Sequence, residues 1–273
     1  MFQEPEFVFD GNARTIQRIA SRVQRVLVVD PNPATARLLA EHMRPLGAQI
    51  FAAPTAENAY AMARAVNPQL IFVEHVQAGV DGLVFTRKIR RGDLPCREAP
   101  VIMCTAEATA EAIFGARDAG VHEFMRKPFN LKDLERRLEA VTLKPRDWIE
   151  AVAYVGPDRR RFNSADYKGP RKRKADALGS PAARLSQALR IVKSAAAALD
   201  VDPAQARRAL AAQAAELKRV GVAVGDPRLI QAAEALGAST MTDLSGAMGR
   251  ADLVKRIDAL MGFMAQDSAG RAA

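Results

Sequence analysis

Four apolar, mostly β-branched residues in a row, Val26-Leu27-Val28-Val29, open an arrangement that repeats through the first half of the chain. An uninterrupted apolar run of this length fits a strand buried on both faces, as in a parallel sheet. Asn32-Pro33 then supplies a helix cap with proline at the first helical position; an amphipathic stretch covers 34–46, and Gly47 ends it. The alternation continues with strand 49–52, helix 55–66 stopped by Asn67-Pro68, strand 70–73 and helix 82–91. Strand 101–104, helix 107–119 ending at Gly120, strand 122–125 and helix 131–141 complete it. Five alternations predict an α/β fold, a doubly wound five-stranded parallel sheet. A short helical lead at about 12–23 precedes it, so residues 1–24 read as a lead and 25–142 as the sheet domain.

Ligands of such sheets gather where the strands end at their carboxyl edge. Asp30, Glu74 and Thr105 each directly follow a predicted strand, and Lys127 follows the fifth. Four polar residues therefore converge on one edge of an otherwise apolar sheet. Core packing alone does not explain that placement.

The pattern breaks at 143–180, where Pro145, Gly156, Pro157, Gly169, Pro170 and Gly179 punctuate a stretch dense in Arg and Lys, which reads as a linker. It contains an internal echo: Tyr154-Val155-Gly156-Pro157-Asp158-Arg159-Arg160-Arg161 is followed by Tyr167-Lys168-Gly169-Pro170-Arg171-Lys172-Arg173-Lys174. Beyond it the chain is Ala-rich. Ser180-Pro181, Asp202-Pro203 and Asp226-Pro227 each give an N-cap with proline at the first helical position. Helices are predicted at 181–199, 203–220 and 227–236, with one or two more between 242 and 264. They form a small all-α bundle over 181–266, before a disordered tail at 267–273.

Charge sharpens this division. The net charge of +9 is unevenly spread: residues 25–142 carry 15 basic and 14 acidic side chains, whereas 143–174 carry 10 and 4. A polyanion partner is thus expected at the basic segment and not across the whole surface. No apolar run approaches the roughly 20 residues of a membrane span, and the first ten residues do not read as a signal peptide. Two cysteines, Cys96 and Cys104, give no metal or disulfide framework, which points to a reducing cytoplasm.

The edge residues resemble, motif by motif, the receiver domains of two-component response regulators, the CheY-like family. Val26 to Asp30 is similar to the first strand with its acidic end. Pro68 to Gly82 is similar to the phosphoacceptor strand and the loop after it, and Thr105-Ala106 to the switch threonine and its small neighbour. Phe124 stands at the switch aromatic, and Lys127-Pro128-Phe129 resembles the family's Lys-Pro-Phe turn. The resemblance implies an Mg²⁺ pocket of two adjacent carboxylates plus a phosphoacceptor aspartate. Here Pro31 fills the second place of the acidic pair, Glu74 stands at the phosphoacceptor position, and Ala78 replaces the usual proline. Asp30 is then a vestigial metal ligand, and no cofactor is expected.

Glutamate carries its carboxylate about 1–1.5 Å further out, and misplacement on that scale can cost around 10²-fold in rate. By the resemblance Glu74 reaches Lys127. There it either imitates a phosphorylated aspartate, biasing Thr105 and Phe124, or only satisfies two charges. The reading that follows is a non-catalytic signalling adaptor, a pseudo-receiver in phosphorelay-type signalling. Its partners would be signalling proteins at the receiver face and the helical bundle, and a homodimer is compatible with it.

Two alternatives stand beside it. One is a response regulator still phosphorylated, on Glu74. The other is an effector acting through 154–174, since an Arg-rich extension after a receiver resembles the CheY-like cyclic-di-GMP effectors. By that resemblance Arg159, Arg160, Arg161, Arg171 and Arg173 would hold phosphates and guanines of cyclic di-GMP or a nucleic acid. Asp158 would accept guanine N–H groups, and Tyr154 and Tyr167 would stack on bases. The helical region cannot be a histidine phosphotransfer domain, because no histidine follows His122.

Overall fold

The computed structural model describes residues 13–159, 180–241 and 247–269. They fall into two compact units, one built on 13–149 and 154–159 and the other on 150–153 and the helices from 181 onward.

The first unit contains the predicted sheet. Strands β1 (Arg25–Val29), β2 (Gln49–Ala53), β3 (Leu70–Glu74), β6 (Val101–Thr105) and β7 (Glu123–Arg126) lie in the order β2-β1-β3-β6-β7, all neighbours parallel. Between β3 and β6 a two-residue ladder forms from β4 (Val76–Gln77) and β5 (Val80–Asp81). The helices are α1 (Ala13–Ala20), α2 (Pro33–Met43), α3 (Ala56–Val66), α4 (Gly82–Arg91), α5 (Ala110–Ala119) and α6 (Leu131–Thr142).

Alternating side chains divide the core in two. Leu27, Val29, Ile71, Val73, Val101 and Met103 join Phe85, Ile89 and Ala116 from α4 and α5 on one face. Val26, Val28, Leu70, Phe72, Ile102 and Cys104 join Leu39, Leu134 and Leu138 from α2 and α6 on the other. The unbroken apolar runs are therefore needed, because each strand feeds both cores.

Local signals act as read. Asn32 caps α2 by accepting from the Ala34 N–H, with Pro33 in the first turn. Asp81 caps α4 through the Val84 N–H at 2.9 Å, and so is structural. Helix α5 starts at Ala110, three residues later than predicted, because Thr109 caps it through the Ala112 N–H. Gly82 is required by close approach: a Cβ there would collide with the Glu74 carbonyl.

The second unit carries α7 (Pro181–Ala197), α8 (Pro203–Val224), α9 (Pro227–Thr240) and α10 (Ala247–Ala269). Ser180, Asp202 and Asp226 cap the first three, each before its proline. Leu189, Val192, Leu210, Leu217, Leu236, Leu253 and Leu260 form its core. Helix α10 runs on through Ala269, into the stretch expected to be a disordered tail.

The largest departure from expectation lies in the predicted linker, whose first part is folded. Strands β8 (Trp148–Glu150) and β9 (Val155–Pro157) pair there. Gly156 comes so close to Gly120 that a Cβ on Gly156 would lie 2.7 Å from the Gly120 Cα. The first Gly-Pro element is thus a packing device. Residues 150–153 belong instead with the helices, where Gln205 and Gln213 donate to the Glu150 carboxylate and carbonyl.

Candidate functional site

Three parallel strands and the turn after β7 bring Asp30, Glu74, Thr105 and Lys127 to the carboxyl edge, as the sequence suggested. Asp30 and Glu74 are buried, with side chains 2% and 7% exposed. The Lys127 ammonium lies between them, 2.5 Å from Asp30 Oδ2 and 2.7 Å from Glu74 Oε2. Its third acceptor is the Thr35 hydroxyl at 3.3 Å, from the first turn of α2. An ammonium has three donors, so Lys127 is saturated by the protein.

The remaining carboxylate oxygens are also engaged. Asp30 Oδ1 accepts from the Asn32 N–H at 2.8 Å, and Glu74 Oε1 from the His75 N–H at 2.7 Å. The Lys127–Pro128 peptide is cis. Burial by itself would lower the affinity of Lys127 for its proton. The hydrogen bonds and charges of Asp30 and Glu74 overcome this and hold its pKa above the ordinary lysine value. Cys104 sits below this group, and burial pushes its thiol up, so it is a core residue.

The other expected members are placed differently. The Thr105 hydroxyl accepts from the Glu107 N–H at 3.2 Å. Phe124 is 4% exposed and packs in the core shared with α4 and α5. Pro31 brings no oxygen-bearing side chain to the edge. A magnesium pocket needs several hard oxygen donors in near-octahedral array. Two carboxylates that share an ammonium do not fit that ion, and the described residues hold no cluster of three or more His, Cys, Asp or Glu suited to a metal.

The expected polyanion residues of the first echo have structural positions. Tyr154 is 6% exposed, its hydroxyl donates to the Pro157 carbonyl at 2.5 Å, and burial pushes its phenol up to about 12. It therefore offers no face for stacking on a base. Arg159 lies over the Tyr154 ring at 4.5 Å and pairs with Asp118 at 3.0 Å. The Asp158 backbone is held at both ends, by the Asp147 carbonyl and the Arg146 guanidinium. Arg160, Arg161, Tyr167, Arg171 and Arg173 lie outside the described residues.

Sequence reasoning missed Thr35 and a second buried cluster, at the opposite edge of the sheet. Arg90, 1% exposed, donates to the carbonyls of Gly120, Arg97 and Ala99 and meets His122 Nδ1 at 3.1 Å. The Trp148 ring covers its guanidinium at 5.2 Å. Burial, then the nearby Arg90 and Arg146 charges, holds the His122 pKa well below the ordinary histidine value. Glu123 is paired with Arg137 at 3.1 Å and Arg146 at 3.8 Å. No local signal marks Arg90 apart from its exposed neighbours Arg87 and Arg91.

These features define a receiver-type signalling domain with an altered edge. Residues 26–139 match the family model of the response regulator receiver domain, and this segment is a receiver domain of two-component signalling. Among curated proteins, the chain is similar to the DNA-binding dual master transcriptional regulator RpaA of Synechocystis, 27% identical over 129 residues. That match covers 47% of this chain and 53% of the relative. It is also similar to the phosphate regulon transcriptional regulatory protein PhoB of Pseudomonas aeruginosa, 26% identical, covering 42% of this chain and 50% of that one. A third match is the sensor histidine kinase GacS of Pseudomonas protegens, 30% identical, covering 52% of this chain and 15% of the kinase. The chain thus spans about half the length of the two regulators and a small part of the kinase. Among solved structures, the chemotaxis protein CheY4 of Vibrio cholerae aligns at 22% identity and TM-score 0.41, over 44% of this chain and 98% of that one.

Proposed function

We propose that this chain is a signalling adaptor whose receiver domain works by binding partners and takes no phosphoryl group. One observation carries the reading: Lys127 has all three N–H donors engaged, by Asp30, Glu74 and Thr35. A receiver that accepts phosphate needs its lysine free to meet a phosphoryl oxygen, and needs metal charge to offset the incoming anion. Here the counter-charge is the lysine itself, and it is already committed. The longer Glu74 side chain makes this closure, because its extra methylene brings the carboxylate to the ammonium while its second oxygen stays on the His75 N–H. The domain then rests in one arrangement, with Phe124 in the core.

Incubation of the full chain with acetyl phosphate and Mg²⁺, followed by intact mass, tests the proposal. Unmodified mass is expected at pH 7, and a phosphoryl adduct mapped to Glu74 overturns it. A polyanion-effector role would have to rest on the second echo, with Tyr167, Arg171 and Arg173, and on Arg160 and Arg161. Titration with cyclic di-GMP beside duplex DNA at two salt concentrations addresses that role, since nonspecific nucleic-acid binding falls steeply with salt.

A further inference from the structure

We propose that the strand pair β8–β9 is a latch on the receiver domain that closes only while His122 is uncharged, so that acidification releases it. This goes beyond the adaptor reading and does not depend on whether Glu74 takes a phosphoryl group. His122 lies directly before β7 and is 8% exposed. Its Nδ1 meets Arg90 Nη2 at 3.1 Å and the Val101 N–H at 3.3 Å. A guanidinium and a peptide N–H donate and never accept, so Nδ1 holds a lone pair and the neutral ring carries its hydrogen on Nε2. A further proton must go to Nδ1. Three N–H groups would then converge on one another.

Two of these groups are fixed. Val101 sits in β6, which pairs with both β3 and β7, and Arg90 is held by the carbonyls of Gly120, Arg97 and Ala99. The strand pair is held differently, because β8 and β9 form a ladder separate from the five-stranded sheet. Trp148 lies 6.5 Å from the imidazole and covers Arg90, while Arg146 donates to the His122 and Asp158 carbonyls. A charged ring can therefore regain water by displacing Trp148 and Arg146 without breaking a ladder of the main sheet.

The surroundings make that charge unwelcome. Among the described residues, both charges that act on the ring are positive, Arg90 of α4 and Arg146 beside β8. The acids and other titratable groups nearby act on these arginines instead. Cys96, Arg97 and Glu98 of the turn Pro95–Glu98 act on Arg90, as does Tyr154. Tyr154, Asp158 and Glu123 act on Arg146, and Glu123 is also paired with Arg137 of α6. The closed form thus binds the His122 proton more weakly than the ordinary histidine does, and the released form binds it normally, at about 6.5. Closure is then full above that pH. Below it the closing constant falls by up to about tenfold per pH unit, until the lowered value of the closed form is reached.

Amide hydrogen exchange of the full chain, taken as protection relative to an unstructured chain at each pH, tests this together with the fluorescence of Trp148, the single tryptophan. Between pH 7 and about 4.5, protection over 146–149 and 154–158 should fall by up to about tenfold per unit below about 6.5, while β1 and β3 stay protected. His122→Gln, which can accept from Arg90 but takes no proton in this range, should hold protection constant; Glu123→Gln should keep the fall. Protection that does not change with pH overturns the proposal, and so does a fall shared equally by β1 and β3. A fall that persists in His122→Gln, or that Glu123→Gln abolishes, overturns it as well. A measurement on the parent chain needs no variant: the His122 ring resonances and the Trp148 fluorescence should titrate with one midpoint, and separate midpoints refute the latch.

Discussion

Replacing Lys127 by methionine tests the edge cluster most directly, because it keeps the length of the side chain and removes only the charge and its donors. Asp30 and Glu74, with side chains 2% and 7% exposed, would then face each other as anions, each left with one backbone N–H. Two charge-assisted hydrogen bonds are lost, at about 1.5 kcal/mol each at the lower end of their range. Breaking a buried pair costs about 3–5 kcal/mol. The Lys127 side chain is 21% exposed, so water can reach the gap, and about 3 kcal/mol is the expected loss at pH 7.

The pH dependence gives a second, independent signature. In the native chain the Lys127 pKa is raised above the ordinary 10.5, so its stabilisation is full below that value and is lost as the pH rises through the raised one. In the variant the repulsion is between two carboxylates, and protonating one relieves it. The deficit should therefore shrink as the pH is lowered from 7 towards about 5. Urea denaturation followed by Trp148, the single tryptophan and part of the same unit, measures both. A loss below about 0.5 kcal/mol at pH 7, or a deficit that is the same at both pH values, refutes the reasoning.

Other perturbations have defined outcomes. Because the His122 pKa is held well below 6.5 in the fold, the unfolded chain takes up a proton first as the pH falls. Stability is then lost below about 6.5, at up to 1.36 kcal/mol per pH unit. His122→Gln, which can still accept from Arg90, should flatten that slope in melts from pH 7 to about 5, and an unchanged slope would show that other groups set it. Gly82→Ala forces a Cβ into the Glu74 carbonyl and should cost about 1–3 kcal/mol or more; a neutral result in a thermal melt would mean that β3 and α4 can separate freely. Trp148→Ala removes the cover of Arg90. It should cost about 0.5–2 kcal/mol from the cation–π contact alone and speed amide exchange over 144–159, which an unchanged exchange pattern would contradict.

What could be read in advance was set by short-range physics. Unbroken apolar runs in β1, β3 and β6 report burial on two faces, and Asn32-Pro33, Ser180-Pro181, Asp202-Pro203 and Asp226-Pro227 report helix starts, because both effects act within a few residues. The convergence of Asp30, Glu74, Thr105 and Lys127 followed from topology, since parallel strands place their ends together. Thr35 escaped notice because its role depends on the reach of Lys127 across 92 residues. The folding of 144–159 was hidden for the same reason. Gly-Pro and arginine-rich composition resembles a linker, and only the distant Gly120, Arg90 and His122 turn that stretch into a packed strand pair. The echo between its two copies misled in one respect: a repeated tyrosine suggested a repeated role, yet Tyr154 is consumed by its own hairpin.

The altered edge is better understood as a closed hydrogen-bond set than as a list of missing ligands. Four carboxylate oxygens and one hydroxyl meet three ammonium donors and two backbone N–H groups, so each donor has its acceptor. Opening such a set to admit another anion would leave buried groups unsatisfied before any new bond formed, at about 1–3 kcal/mol for each. Pro31 contributes by omission, since an acid there would add a third carboxylate and leave the single ammonium insufficient. The Glu74 side chain contributes by length. Reversing either change alone should therefore leave the edge without phosphorylation: Glu74→Asp frees Lys127 but leaves the acidic pair without its second member, and Pro31→Asp restores that member while Lys127 stays bound by Glu74. Only the double variant recreates both an available lysine and three carboxylates. It is the form in which phosphorylation by acetyl phosphate with Mg²⁺ should appear by intact mass, and a phosphoryl adduct on Pro31→Asp alone, where Lys127 is still bound, would show that closure of the set does not exclude phosphorylation.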